Sequence, residues 1–347
     1  MRRISLIISL IFCFILMPIK SSANSSNFGI RPIYPATQAP DVGESGYFML
    51  DLHPKQKDIL EIEVTNYSSN PISVLAEIGR AQTSDSGLIS YDLSLDNNTE
   101  IDDSVNFNKM IDLTKKKIDL KEKETKKLSI SVMVPEKEFK GEVLGGIHFK
   151  EIDTEDTKPR KMVTNKFSYS IPIIIRNNNN KIENELSIVN VEPALRNYHP
   201  YIHVNIKNSA LSIIRNMKIE GEIFNLDKKE KWYVRHLDNL QMAPYSNFNF
   251  GFDLKDSEIL PGNYEVILDI NADGKEYKLK KEFNITKSDA KEKNENSVFV
   301  EQSHNDYLVI ISIAVVLILF VLILTVYLLK KSKTNKKKRI KKRKYKL

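Results

Sequence analysis

Apolar residues recur at every second position through most of this chain, the spacing of half-buried β-strands whose successive side chains face opposite ways. Leu60, Ile62 and Val64 alternate with polar residues, Asn66 to Pro71 supplies turn chemistry, and Ile72, Val74, Ala76 and Ile78 resume the pattern, which predicts a hairpin-like pair. Leu128, Ile130, Val132 and Val134 repeat it ahead of Pro135. Val143, Ile147 and Phe149 carry it across the adjacent Gly145 and Gly146. Farther on come Phe167, Tyr169, Ile171 and Ile173, then Ile202, Val204 and Ile206, then Tyr264, Val266, Leu268 and Ile270, with Pro261-Gly262-Asn263 and Asp273-Gly274 marking turns. The pattern predicts an all-β protein of two tandem immunoglobulin-like β-sandwiches, over 28–152 and 163–286, joined by a charged linker at 153–162. Residues 287–306 are mostly Lys, Glu, Asn and Ser, too poor in apolar side chains to fold alone, and read as a stalk.

Period-two alternation stops at the ends of the chain. Tyr307 to Leu329 is an uncharged apolar run that as a helix would reach about 34 Å, enough for a hydrocarbon core of about 30 Å, and predicts one C-terminal transmembrane helix. Twelve Lys and Arg and no acid follow in 330–347, so by the positive-inside rule this tail is expected in the cytoplasm and everything before Tyr307 outside the cell membrane. Arg2 and Arg3, the apolar stretch Ile4 to Met17 and Ser21-Ser22-Ala23 predict a signal peptide over 1–23. A lipid-attachment signal is the rival, because Cys13 follows an apolar run. Phe12, however, stands where such a site wants a small residue.

Charge changes the picture once it is divided. Of 52 basic residues, 3 fall in the signal segment and 12 in the tail, leaving 37 against 45 acids in the exterior portion, a net of −8. The net charge of +7 is therefore an effect of the tail, suited to anionic lipid, and nucleic acid is not an expected partner. Cys13 is the sole cysteine, so the mature exterior has no disulfide and must hold itself by core burial.

Candidate chemistry is sparse. No Walker loop, G-x-S-x-G elbow, H-E-x-x-H or cysteine nucleophile is present, so neither catalysis nor a cofactor is expected. His199 and His203 would need a third ligand to hold a metal, and Pro200 between them favours a strand. Asp96, Glu100, Asp102 and Asp103 lack the glycine and distal glutamate of a calcium loop. Trp232, the only tryptophan, either anchors a glycan or protein partner or fills the second core. Leu144-Gly145-Gly146-Ile147 places two glycines inside an apolar strand, which allows either a bulge or a close approach that forms a binding groove. Leu144, Gly145, Gly146, Ile147 and Trp232 are thus the expected partner-binding positions.

Several phrases together resemble a known family. Tyr47 to Gln56, Glu63-Val64-Thr65-Asn66, Ala81-Gln82-Thr83, Ser86 to Tyr91, Val134-Pro135 and Phe139 to Phe149 are similar to the N-terminal domain of the WxL-interacting proteins, surface proteins of Gram-positive bacteria. Met242 to Phe248, Pro261 to Tyr264, Phe283 to Thr286 and Ala290-Lys291 resemble the C-terminal domain. Tyr245 departs from the pattern, as does the lack of a tryptophan in Lys275 to Lys280. The resemblance covers essentially the whole chain. It implies a non-catalytic cell-surface adaptor whose first domain binds peptidoglycan, whose second contacts host surface, and whose partners include WxL-domain proteins. The alternative is a membrane-anchored accessory or sensor of a wall polymer, acting through a separate partner because the 18-residue tail is too short for a signalling domain.

Overall fold

Burying one face of each alternating strand requires a second sheet opposite, and the chain meets that requirement twice. A computed structural model describes residues 26–92, 102–112, 115–152, 167–299 and 311–327. The first sandwich holds β1 (Phe28–Ile33), β2 (Phe48–Asp51), β3 (Lys57–Asn66), β4 (Ile72–Arg80), β7 (Lys115–Leu120), β8 (Thr125–Met133), β9 (Val143–Ile152) and β10 (Ser168–Arg176), with the short hairpin β5 (Gln82–Thr83) and β6 (Ile89–Ser90) beside it. One sheet runs β1-β3-β8 and the other β2-β10-β9-β4-β7. Their facing sides meet in one core. Leu60, Ile62 and Val64 of β3 and Leu128, Ile130 and Val132 of β8 lie against Val74, Ala76 and Ile78 of β4 and Ile147 and Phe149 of β9.

The second sandwich pairs β11 (Leu186–Arg196), β12 (His199–Asn208) and β15 (Ser246–Asp253) in one sheet. The other sheet orders β14 (Glu230–Met242), β13 (Ile214–Asn225), β16 (Gly262–Ala272) and β17 (Lys275–Ile285) as β14-β13-β16-β17. Ile202, Val204, Ile206, Tyr264, Val266, Leu268 and Ile270, the residues marked by alternation, are all buried.

Strand pairing revises one sequence-based expectation. Alternation alone places Phe167 to Ile173 in the second sandwich, but β10 pairs with β9 from Ser168↔Lys150 to Ile175↔Val143 and with β2 in parallel, so it completes the first. Pairing back onto β9 buries Ile171, Ile173 and Ile175 in the first core, where a new sandwich would have to start from an unpaired edge. The expected stalk begins with the helix Lys287–Asn296, capped by the Thr286 side chain. Ala290 is its buried residue, the Asn294 amide donates to Ile259 O at 3.0 Å and accepts from Ile259 N at 2.9 Å, and Ser297 Oγ donates to Tyr198 O at 2.8 Å. Polar contacts hold this polar segment on the sandwich, so it needs little apolar surface of its own. Within Tyr307–Leu329, residues 311–327 form a helix exposed at every position. Among the described residues no helix is long and apolar enough to cross a membrane. The signal segment 1–23, the linker 153–162 and the tail 330–347 lie outside the described residues, as do Asp96 and Glu100.

On the outer face of β4, the buried Glu77 lies between Lys150 Nζ at 2.7 Å and Lys115 Nζ at 3.1 Å. The Lys150 hydrogen bond, against an opposing effect of burial and with help from Lys115, holds its carboxyl below the ordinary value of 4.5. A carboxyl depressed in the folded state contributes stability that is present above the unfolded value and lost as pH falls through the folded one. Stability measured by urea unfolding is therefore expected to fall less steeply between about pH 5 and pH 3 in Glu77→Gln than in the parent.

Candidate functional site

The Leu144-Gly145-Gly146-Ile147 step lies in the middle of the five-stranded sheet, and both faces of β9 are covered there. Register runs without a shift on either side, Gly145 opposite Ile173 and Arg80, Gly146 opposite Pro172 and Gly79. There is no bulge. The glycines instead admit rings: a Cβ on Gly145 would strike Phe107 in the core, and one on Gly146 would strike Tyr91 on the outer face. Phe107 arrives on the short helix Phe107–Met110, which Asn106 caps by accepting from Asn108 N. The close approach is therefore made by the chain's own aromatics, and burial pushes the Tyr91 hydroxyl up to about 12. Ile147 is wholly inside the first core.

Leu144 points the other way, into a smaller apolar cluster. Ala39, Met49, Ala81, Leu144 and Ile174 of the first sandwich meet Ile213 and Ala243 of the second. The five-stranded sheet thus buries part of its outer face against the neighbouring domain, and the junction of the sandwiches is the candidate functional region.

Polar bonds close the junction on two sides. On one, the β5–β6 hairpin reaches the β14–β15 turn. Thr83 Oγ1 lies 2.5 Å from Ser246 Oγ and accepts from Ala243 N at 3.0 Å, both buried, while Gln241 N donates to Gly87 O at 2.7 Å. Asp85 accepts from Asn249 N at 2.9 Å and from Arg196 Nη2 at 3.2 Å. Arg80 Nη1 donates to Tyr245 O at 3.0 Å, and Tyr245 holds a left-handed backbone, φ 49°. On the other side Glu142 N donates to Leu211 O at 2.7 Å, and Arg215 Nη2 donates to Glu142 Oε1 at 2.8 Å. Beside this second set, with Glu142, Leu211 and Arg215 in its wall, opens a cleft of about 1050 Å³, bordered also by Tyr47, Arg176, Asn180, Glu183 and Lys275. Sequence reasoning missed the junction residues Thr83, Asp85, Glu142 and Arg215. The asparagine run 177–180, of which Asn178, Asn179 and Asn180 line the cleft, is the one compositional signal of it.

Trp232 lies on β14 of the second sandwich, not in the sheet that holds the glycine step. Its ring stacks on Tyr264 with centroids 4.5 Å apart and meets Tyr233 edge-on at 5.0 Å. Alternation puts Trp232 with Val234 and Tyr233 with Arg235. A register shift opposite Ile223 and Phe224 leaves Trp232 as the extra residue, so Trp232 and Tyr233 both pack on the second core and Val234 is 65% exposed. His199 stacks on Phe299 at 3.6 Å. His203 faces Arg196 at 3.5 Å, and burial followed by that cation lowers its pKa. Among the described residues no three His, Cys, Asp or Glu side chains gather as a metal site.

Two family models match in tandem, the WxL Interacting Protein peptidoglycan binding domain over residues 28–151 and the WxL Interacting Protein host binding domain over residues 158–295. The chain belongs to the WxL-interacting protein family. In this WxL-interacting protein the second match starts ahead of β10, although β10 completes the first sandwich. It also takes in most of the docked helix Lys287–Asn296. No curated protein matches the chain. Solved structures similar to it include the class 5 fimbriae chaperone CfaA, at 15% identity over 74% of this chain and 98% of that one, TM-score 0.27. The Salmonella enterica SafA pilin in complex with the SafB chaperone shares 9% identity over 76% and 98%, TM-score 0.28. The Pseudomonas aeruginosa CupB2 chaperone shares 12% over 67% and 95%, TM-score 0.26. Scores this low decide nothing about the WxL-interacting protein's overall arrangement.

Two outcomes check this geometry. Gly145→Val forces the new methyls into Phe107 and is expected to cost about 1–3 kcal/mol in urea unfolding, and the added Phe107→Ala change to be less than additive with it because it vacates that space. Thr83→Val keeps the shape but strips the buried Ala243 N–H of its acceptor, an expected loss of about 1–3 kcal/mol, with faster protease cleavage in 177–185 as the domains loosen.

Proposed function

We propose that this chain is a non-catalytic cell-surface adaptor. Its first sandwich binds cell-wall peptidoglycan and its second contacts a host surface component, while WxL-domain proteins are its secreted partners. The observation that carries the reading is the tandem pair of family matches, each to a binding domain and each coinciding with most of one sandwich. Extended strand edges and a cleft at the junction suit recognition of a polymer, because such surfaces offer backbone groups and broad polar faces.

The adaptor is held at the cell membrane with its sandwiches outside and its basic tail inside. Support for this comes from the apolar run Tyr307–Leu329, of which 311–327 is a helix with its apolar side chains exposed, and from the twelve basic residues that follow. The signal segment 1–23 fits export of everything between.

Wall binding is tested by sedimenting the purified chain with intact Gram-positive sacculi. The expected result is depletion of the protein from the supernatant. Retention in the supernatant over a range of protein and sacculus concentrations overturns the wall-binding reading.

A further inference from the structure

Because β10 belongs to the first sandwich, the linker between the sandwiches is 177–185, and it is pinned at both ends and free in the middle. Asn177 donates to Leu52 O at 2.7 Å and accepts from Phe139 N at 2.8 Å, which ties it to the first sandwich. Asn184 donates to Ala272 O at 3.3 Å and accepts from the Tyr277 hydroxyl, which ties it to the second. Between them Asn179, Asn180 and Lys181 are exposed, and among the described residues their side chains make no hydrogen bond or ion pair. All three border the interdomain cleft, as do the likewise unbonded hydroxyls of Tyr47 and Ser212.

The other charged groups of the cleft are already engaged. Arg176 forms an ion pair with Asp51 and lies 3.5 Å from Asp41. Arg215 holds Glu142, Lys275 holds Glu183 at 2.7 Å, and the Asp273 carboxylate accepts from the backbone of Arg215 and Asn216. What remains for a ligand is two amides, two hydroxyls and one ammonium. A polyanion would find one free cation among four acids. A purely apolar ligand would leave the amides without partners. Amides and hydroxyls match the acetamido and hydroxyl groups of N-acetylated sugars, the half-buried Tyr47 ring offers a flat apolar face, and Lys181 matches one carboxylate. The volume, about 1050 Å³, is just above the usual range for small-ligand sites, room enough for a disaccharide.

We infer that this cleft binds an N-acetylated, carboxylate-bearing glycan, the chemistry of a wall disaccharide carrying a lactyl group and peptide. The inference rests on the wall-binding reading and adds the place and the groups that act there. Because the cleft has one wall from each sandwich, the bound glycan touches both domains at once.

Titration calorimetry of the full-length chain with N-acetylglucosaminyl-N-acetylmuramyl dipeptide tests it, alongside sedimentation with sacculi. The parent is expected to bind the probe, and to bind chitotetraose, which has no carboxylate, at least tenfold more weakly. Lys181→Glu and the double change Asn179→Ala with Asn180→Ala lie on exposed positions and are expected to weaken probe binding at least tenfold with unchanged circular dichroism. Ser212→Trp, which fills the cleft, is expected to abolish it. If all these variants bind the probe like the parent, the site is elsewhere. A parent that sediments with sacculi but ignores the probe overturns the cleft and leaves wall binding standing, whereas a parent that does neither overturns both.

Discussion

Burial of one sheet on both of its faces is the constraint from which the rest of this structure follows. A sandwich needs only its inner faces covered, yet β9 runs through the centre of the five-stranded sheet with Phe107 against one side and Tyr91 against the other. Only residues without a Cβ leave room for two rings at adjacent positions, which is why the strand carries Gly145 and Gly146 despite the conformational entropy they cost on folding. Once that outer face is apolar at Leu144 and Ile174, it must be shielded from water, and Ile213 and Ala243 of the second sandwich do so. Docking of the two domains is therefore a requirement of the first domain's own packing.

Hydrogen bonds make that docking specific. An apolar patch of this size has little directional preference. The Thr83 hydroxyl beside Ser246 and the Asp85 carboxylate on the Asn249 amide fix one register of the hairpin against the turn. The second sandwich accommodates them with a left-handed residue at Tyr245, whose carbonyl receives Arg80.

Much of the fold is legible in the alternation of β3, β4, β8, β12 and β16, because each buries one face and a period of two reports that directly. Assignment of β10 fails for a different reason: its own pattern is correct, but which sandwich it joins depends on pairing with β9 and β2, and β2 lies more than a hundred residues earlier. Trp232 shows a similar limit, since one extra residue in β14 reverses which neighbours share its face. The glycine step is visible in sequence as a place of close approach. The identity of what approaches is not, because Phe107 and Tyr91 come from segments with no strand periodicity. At the junction, Thr83 and Ser246 are 163 positions apart and each looks like an ordinary turn residue until the two domains meet.

The route of the chain through the second sandwich has a mechanical consequence. The linker delivers it to Leu186 at one end of β11, and the docked helix returns it to Tyr198, just past the other end, where Ser297 and Phe299 hold on. Tension between a tethered first sandwich and whatever follows Phe299 would run lengthwise along β11. The interstrand bonds from Leu186↔Asn208 to Arg196↔His199 lie across that line and would resist together, in shear, where a strand pulled from one end would open pair by pair.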